Sequence, residues 1–192
     1  MTTIPGDLLV GVVLGFSLAV PPGPMNAWIA AVSVRSFRAG VVTGFGAMTA
    51  DALLGSIVYL FDRAIDLHAV VRGVYLLGGG VMVYLGVHLL RRGPGGASDL
   101  PDRRTFVRAL LLGLSNPFQV LWWLTAGVAF AYLGGLVLLL GLFGAIVVWI
   151  VAFPWAVHAG TRRHAWVERG VRLASAGILF AFAVYFVALF VA

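Results

Sequence analysis

The chain has 192 residues, 61% of them hydrophobic and 10% charged, with a net charge of +6. A soluble domain carries roughly 25% charged residues, so this composition excludes one. Cysteine is absent, which removes disulfides, thiolate metal sites and thiol redox chemistry.

Six long apolar runs follow one another: Leu8–Val34, Ala39–Phe61, Gly73–Leu90, Ala109–Leu133, Gly134–Ala156 and Leu173–Ala192. Each approaches the roughly 20 residues that a spanning helix requires, the third being the shortest. The short alternating strands of a membrane barrel do not occur. The expected fold is an all-α integral membrane protein, a single polytopic domain over residues 1–192.

The first run begins without a positively charged leader and continues through its prolines, which predicts an uncleaved first span. Within it, Pro21-Pro22-Gly23-Pro24-Met25-Asn26 breaks the helix. Three prolines remove three backbone donors and obstruct carbonyls one turn back, while Gly23 permits conformations closed to other residues. Restarting near Pro24, the chain offers free N–H groups from about Met25 to Ala27, at a helix end suited to a carboxylate.

The second run carries Asp51 at the centre of 23 otherwise apolar or small residues. A carboxylate at that depth costs about 2.5–3.5 kcal/mol on insertion scales and marks a functional site by default. The competing reading is a protonated acid hydrogen-bonded within a helix interface. Gly44, Ala47, Asp51 and Gly55 share one narrow helical face, so Asp51 is expected to face protein or a wet cavity. Gly11–Gly15 and Gly40–Gly44 match GxxxG, which leaves a homodimer open.

Residues 91–108 form the one polar, Gly/Pro-rich linker, and they divide the chain into halves 1–90 and 109–192. Three spans per half is an odd number, so the halves run in opposite directions, as a 3+3 inverted repeat. The second half opens on a break too: Asn116 and Pro117 interrupt helix four, with Asn116, Gln119 and Trp123 on one face. Matched Gly/Pro interruptions in two halves point to the central site of a transporter. Broken helices leave backbone groups that hydrocarbon cannot satisfy but a polar cavity or ligand can.

All thirteen basic residues are arginine, and eleven of them fall in the loops after spans one, three and five. Arginine-rich short loops stay in the cytoplasm, so both termini are expected outside. The four histidines have no i, i+4 ligand partners and read as interface residues. Trp122, Trp149 and Trp155 read as packing or interfacial anchors. No metal, cofactor or nucleic-acid partner is expected.

At these residues the chain resembles the LysE/RhtB family of small amino-acid exporters. The resemblance is carried by Pro22-Gly-Pro-Met-Asn26, by the glycines of Gly40–Asp51, and by Leu114-Ser-Asn-Pro117 followed by Trp122-Trp123. It implies export of an amino acid or similar solute by proton or cation exchange. Many members carry lysine after the Asn-Pro of helix four, where Phe118 stands here. The chain looks closer to a branch with an aromatic residue there.

The expected function is a secondary transporter of the cytoplasmic membrane exporting a small zwitterionic solute. Pro22, Gly23, Pro24, Met25 and Asn26 would meet the solute carboxylate and Asp51 its ammonium group. Asn116, Pro117, Gln119 and Trp123 would shape the cavity, and Asp51 would carry the coupling proton or cation. One alternative is inorganic cation efflux, for which Asp51 is the only charge at depth. Another is an intramembrane enzyme, which lacks a second carboxylate, H-E-x-x-H or a base beside Ser115. A structural membrane scaffold would have a dry interior.

Overall fold

The computed structural model describes residues 4–61, 67–92, 102–127, 135–163 and 165–191. They form α1 (Ile4–Ala19), α2 (Pro24–Ser33), α3 (Phe37–Phe61), α4 (Leu67–Arg92), α5 (Asp102–Leu114), α6 (Pro117–Trp122), α7 (Leu136–Arg163) and α8 (Ala165–Val191). A π turn, Trp123–Gly127, continues α6. Among the described residues the structure is all helical and contains no strand.

Three helices are each long and apolar enough to cross a membrane: α3, α7 and α8. A fourth span is formed if α1 and α2, bent by 77°, are taken together. The apolar part of α4, Tyr75–Arg91, is shorter. The fourth apolar run is divided among α5, α6 and the π turn, and residues 128–134 lie outside the described ones. So do residues 93–101 of the polar linker, Arg63 and His164, while the side chain of His68 is not described.

Several helices start earlier than their apolar runs, α5 and α8 by the widest margin. Helix α5 begins at Asp102 rather than Ala109, and α8 at Ala165 rather than Leu173. Hydropathy detects the part of a helix that lipid can hold. The charged first turns here carry Asp102 and Glu168, which suit the positive helix end.

The first break follows from its prolines. Helix α1 stops at Ala19, Gly23 caps α2 in an extended conformation, and Pro24 occupies the first helical position, where a missing N–H costs nothing. Ala27 N–H donates to Gly23 O at 2.9 Å, the first bond of α2. In the second break Asn116 caps α6: its Oδ1 accepts from Phe118 N–H at 3.2 Å, and Pro117 takes the first position.

The principal packing partners are α1 with α7, α3 with α5, and α4 with α8. Close approach relies on glycine. A methyl on Gly11 or Gly15 would collide with the carbonyls of Leu138 or Leu142, and one on Gly46 would lie 2.6 Å from Phe106 O. Gly40 and Gly44 likewise abut Ser33 and Ile150. Both GxxxG pairs are therefore occupied within the chain and leave no such face for a second copy.

Helix α2 is buried along its length from Ala27 to Ser33, with a core around Trp28, Met82, Leu89, Leu179 and Phe186 on one side. A second core joins Leu18, Val58, Trp123, Leu142 and Ile146. The two breaks and Asp51 lie between these cores. Arg38 pairs with Asp102 and Arg35 with Glu168, while His158 Nδ1 and Thr161 Oγ1 bond the Ser33 and Val34 carbonyls. These contacts gather the ends of α2 and α7 and the starts of α3, α5 and α8 at one end of the bundle.

Candidate solute site

Asp51 is 5% exposed and stands mid-way along α3. Its Oδ1 accepts two hydrogen bonds, from Gln119 Nε2 at 2.8 Å and from Trp123 Nε1 at 3.0 Å. Gln119 Nε2 also reaches Ala47 O at 3.3 Å, and Asn116 Nδ2 donates to Gln119 Oε1 at 3.3 Å. The i, i+3, i+7 spacing of Asn116, Gln119 and Trp123 thus becomes a relay directed at one carboxylate oxygen. Among the described residues Oδ2 accepts no hydrogen bond, so it is the atom left for an entering group.

Asn26 works differently. Its Nδ2 donates to Ala19 O at 2.6 Å and Pro21 O at 2.9 Å, carbonyls at the break where α1 has stopped. Its Oδ1 accepts from Trp149 Nε1 at 3.2 Å. Both amide hydrogens are used in holding the bend, so Asn26 shapes the site and its side chain has no donor left for a solute. Because Ala27 N–H is bonded, the unpaired donors of α2 are those of Met25 and Asn26, one fewer than the sequence implied.

A cavity of about 50 Å³ joins these features, with Gly23, Pro24, Met25, Asn26, Asp51, Asn116 and Gln119 on its wall. Three expected site residues do not line it. Pro22 is exposed on the surface of the break. Pro117 is buried against Gly78. Trp123 lies behind Asp51 and lines a second space instead.

Sequence reasoning assigned Trp149 to packing, yet it lines the cavity and holds Asn26. Phe118, 38% exposed, also lines it, so an aromatic face stands where a lysine would add a charge. The cavity exceeds the ~10–15 Å³ that a water requires but falls well short of a ~300 Å³ ligand pocket. In this conformation the polar centre has room for water but not for a solute.

A family profile described as LysE type translocator matches residues 16–189. The chain is 34% identical over 121 residues to the Bacillus subtilis protein named "Putative amino acid efflux protein YcgF", covering 59% of this chain and 58% of that one. That match takes in less than two thirds of the Bacillus protein. The chain is also 29% identical over 179 residues to "Uncharacterized membrane protein PA4757" of Pseudomonas aeruginosa, covering 80% and 79%. No solved structure matches. The chain, apolar, helical and matched from its first break to near its end, belongs to the LysE-type translocators, a family of membrane transporters and not of enzymes.

Proposed function

We propose that this protein exports a small amino acid, or a similar zwitterionic solute, across the cytoplasmic membrane in exchange for a proton or cation. One observation carries the reading. Asp51, with Oδ2 unbonded, lines the same cavity as the start of α2, where Met25 and Asn26 keep free N–H groups. A helix N-terminus attracts a carboxylate and Asp51 attracts an ammonium group, so the two ends of a zwitterion find opposite partners. The name of the Bacillus relative agrees with that solute class.

Antiport needs one group that holds either solute or coupling ion. A proton and an ammonium group compete for the Asp51 carboxylate, and no second charged side chain lines the cavity among the described residues. Exchange then follows from mutual exclusion at a single site.

The architecture we favour is six spans in two inverted halves, 1–90 and 109–192, joined by a cytoplasmic linker at 91–108. The helix pairing supports it. If α1–α2, α3 and α4 correspond to α5–α6, α7 and α8, the pair α1/α7 exchanges with α5/α3, while α4/α8 maps onto itself. The two amides obey the same relation. Asn26, two residues after Pro24, bonds Trp149 of α7, and Gln119, two after Pro117, bonds Asp51 of α3. The arginine-rich ends gathered on one side support, by the positive-inside rule, a cytoplasmic position for that side and outside positions for both termini.

The experiment is a proteoliposome counterflow screen of amino acids, with inorganic cations as a separate arm, under an imposed pH gradient. Wild-type protein is expected to concentrate at least one amino acid, and Asp51→Asn to abolish gradient-driven uptake while remaining folded by circular dichroism. Undiminished, pH-driven transport by Asp51→Asn would refute the assignment.

A further inference from the structure

Two cavities share one pair of helices. The central one lies against Gly44, Ala47 and Asp51 of α3 and Ile146 and Ile150 of α7. A second, of about 540 Å³, continues along the same two helices, lined by Ala52, Ser56 and Tyr59 of α3 and Leu139 and Phe143 of α7. It is large enough to pass an amino acid. Between them stands Trp123, 3% exposed. Its ring lines the second cavity while its Nε1 bonds the aspartate that lines the first.

Besides the edge-on contact of its ring with Trp122, at 5.2 Å between centroids, three features hold the indole in that position. The bond to Asp51 Oδ1 is one. The second is Gly55, one turn beyond Asp51, where a Cβ would lie 2.6 Å from Cζ3 and 2.7 Å from Cη2 of the ring. Glycine is therefore needed for the ring to come this close to α3. The third is backbone: the α-helix widens into a π turn at Trp123. Such turns are rare and concentrate at functional sites.

We propose that Trp123 is the gate between the Asp51 cavity and the wide vestibule, and that the free Asp51 carboxylate is its latch. The proposal rests on the reading of Asp51 as the coupling residue. An exchanger must not reorient while empty, since that would uncouple solute from ion. With Asp51 ionised and unoccupied, the indole N–H is drawn to a full negative charge, and such bonds are about twice as strong as neutral ones. A proton or ammonium group on the carboxylate takes up that charge, the bond weakens, and the ring swings toward the vestibule. The empty site stays shut and either loaded form opens. Among the described residues lining the two cavities, Asp51 is the only charged side chain and Tyr59 the only other titratable one.

The absence of native cysteine makes the test direct. Single cysteines are placed in the central cavity (Met48→Cys) and the vestibule (Ser56→Cys) of the full chain in proteoliposomes. A membrane-impermeant maleimide is applied from the face that labels Ser56→Cys. Met48→Cys is expected to react slowly. Trp123→Ala, and Trp123→Phe, which keeps a ring but no donor, should each raise its rate roughly tenfold or more, the scale of a lost bond to a charged group.

Asp51→Asn should have a similar effect with Trp123 intact. The Ser56→Cys rate should stay constant throughout. A Met48→Cys rate unmoved by both Trp123 substitutions, or a Ser56→Cys that labels from neither face, overturns the gate. Labelling needs no solute, so the gate can fail while Asp51-dependent counterflow stands. Conversely, Trp123 substitutions that open Met48→Cys alongside fully active Asp51→Asn would retain the gate and discard the coupling role.

Discussion

Replacing Asn26 with alanine tests whether the first break is held by its prolines or by one amide. The side chain makes three hydrogen bonds: to Ala19 O, to Pro21 O and from Trp149 Nε1. Polar contacts between membrane helices average about 0.6 kcal/mol and reach about 1.7. Three of them give about 2 kcal/mol. The loss grows if the freed groups find no water, because each orphan costs about 1–3 kcal/mol.

Asn26→Ala is therefore expected to lower stability by about 2–5 kcal/mol in a mixed-micelle denaturation series. Trp149→Phe removes one bond of the three, the longest, and should cost no more than about 1 kcal/mol. The double variant should fall short of the sum of the singles, because both remove the same bond. Counterflow should fall with Asn26→Ala, since the N–H groups of Met25 and Asn26 lose their fixed direction. Asn26→Asp should not rescue it, as a carboxylate would set oxygen against the Ala19 and Pro21 carbonyls. An Asn26→Ala protein within about 0.5 kcal/mol of wild type, with full counterflow, would show that the prolines alone make the bend.

Two further perturbations probe the frame around the site. Gly15→Ala drives a methyl into the Leu142 carbonyl and should cost about 1–3 kcal/mol by thermal unfolding, as overpacking does. Gly144→Ala, on α7 with open space at its Cβ, should be neutral or stabilise by up to about 1 kcal/mol. Equal effects at the two glycines would contradict the close packing of α1 on α7. Arg38→Ala breaks an ion pair with Asp102 whose side chains are 79% and 46% exposed. Its loss should change stability by no more than about 1 kcal/mol and matter less in high salt. A larger, salt-insensitive loss would contradict the exposure of that pair.

What could be read in the sequence, and what could not, divides by distance along the chain. Asp51 was legible because its surroundings are apolar, and membrane burial makes a single carboxylate conspicuous. Asn116, Gln119 and Trp123 were legible as a face because helical period is local. That this face meets Asp51 had to await the packing of α3 against α5. Trp149 was not legible. Val147, Val148 and Ile150 around it make an ordinary lipid-compatible segment, and its partner Asn26 lies 123 positions away.

The bend was foreseen and its angle was not. Three prolines say that helical bonding stops, whereas 77° depends on which freed carbonyls an amide can reach across the gap. The same reasoning explains why Trp123 lines the second cavity rather than the first. Helical spacing gives the direction of a side chain to within a face, but the π turn that starts at Trp123 alters that direction locally. The residue that best fits a gate is thus one where the regular period ends. A departure from ideal helix beside the lone acid is where a transporter can keep two arrangements of one ring within reach of each other.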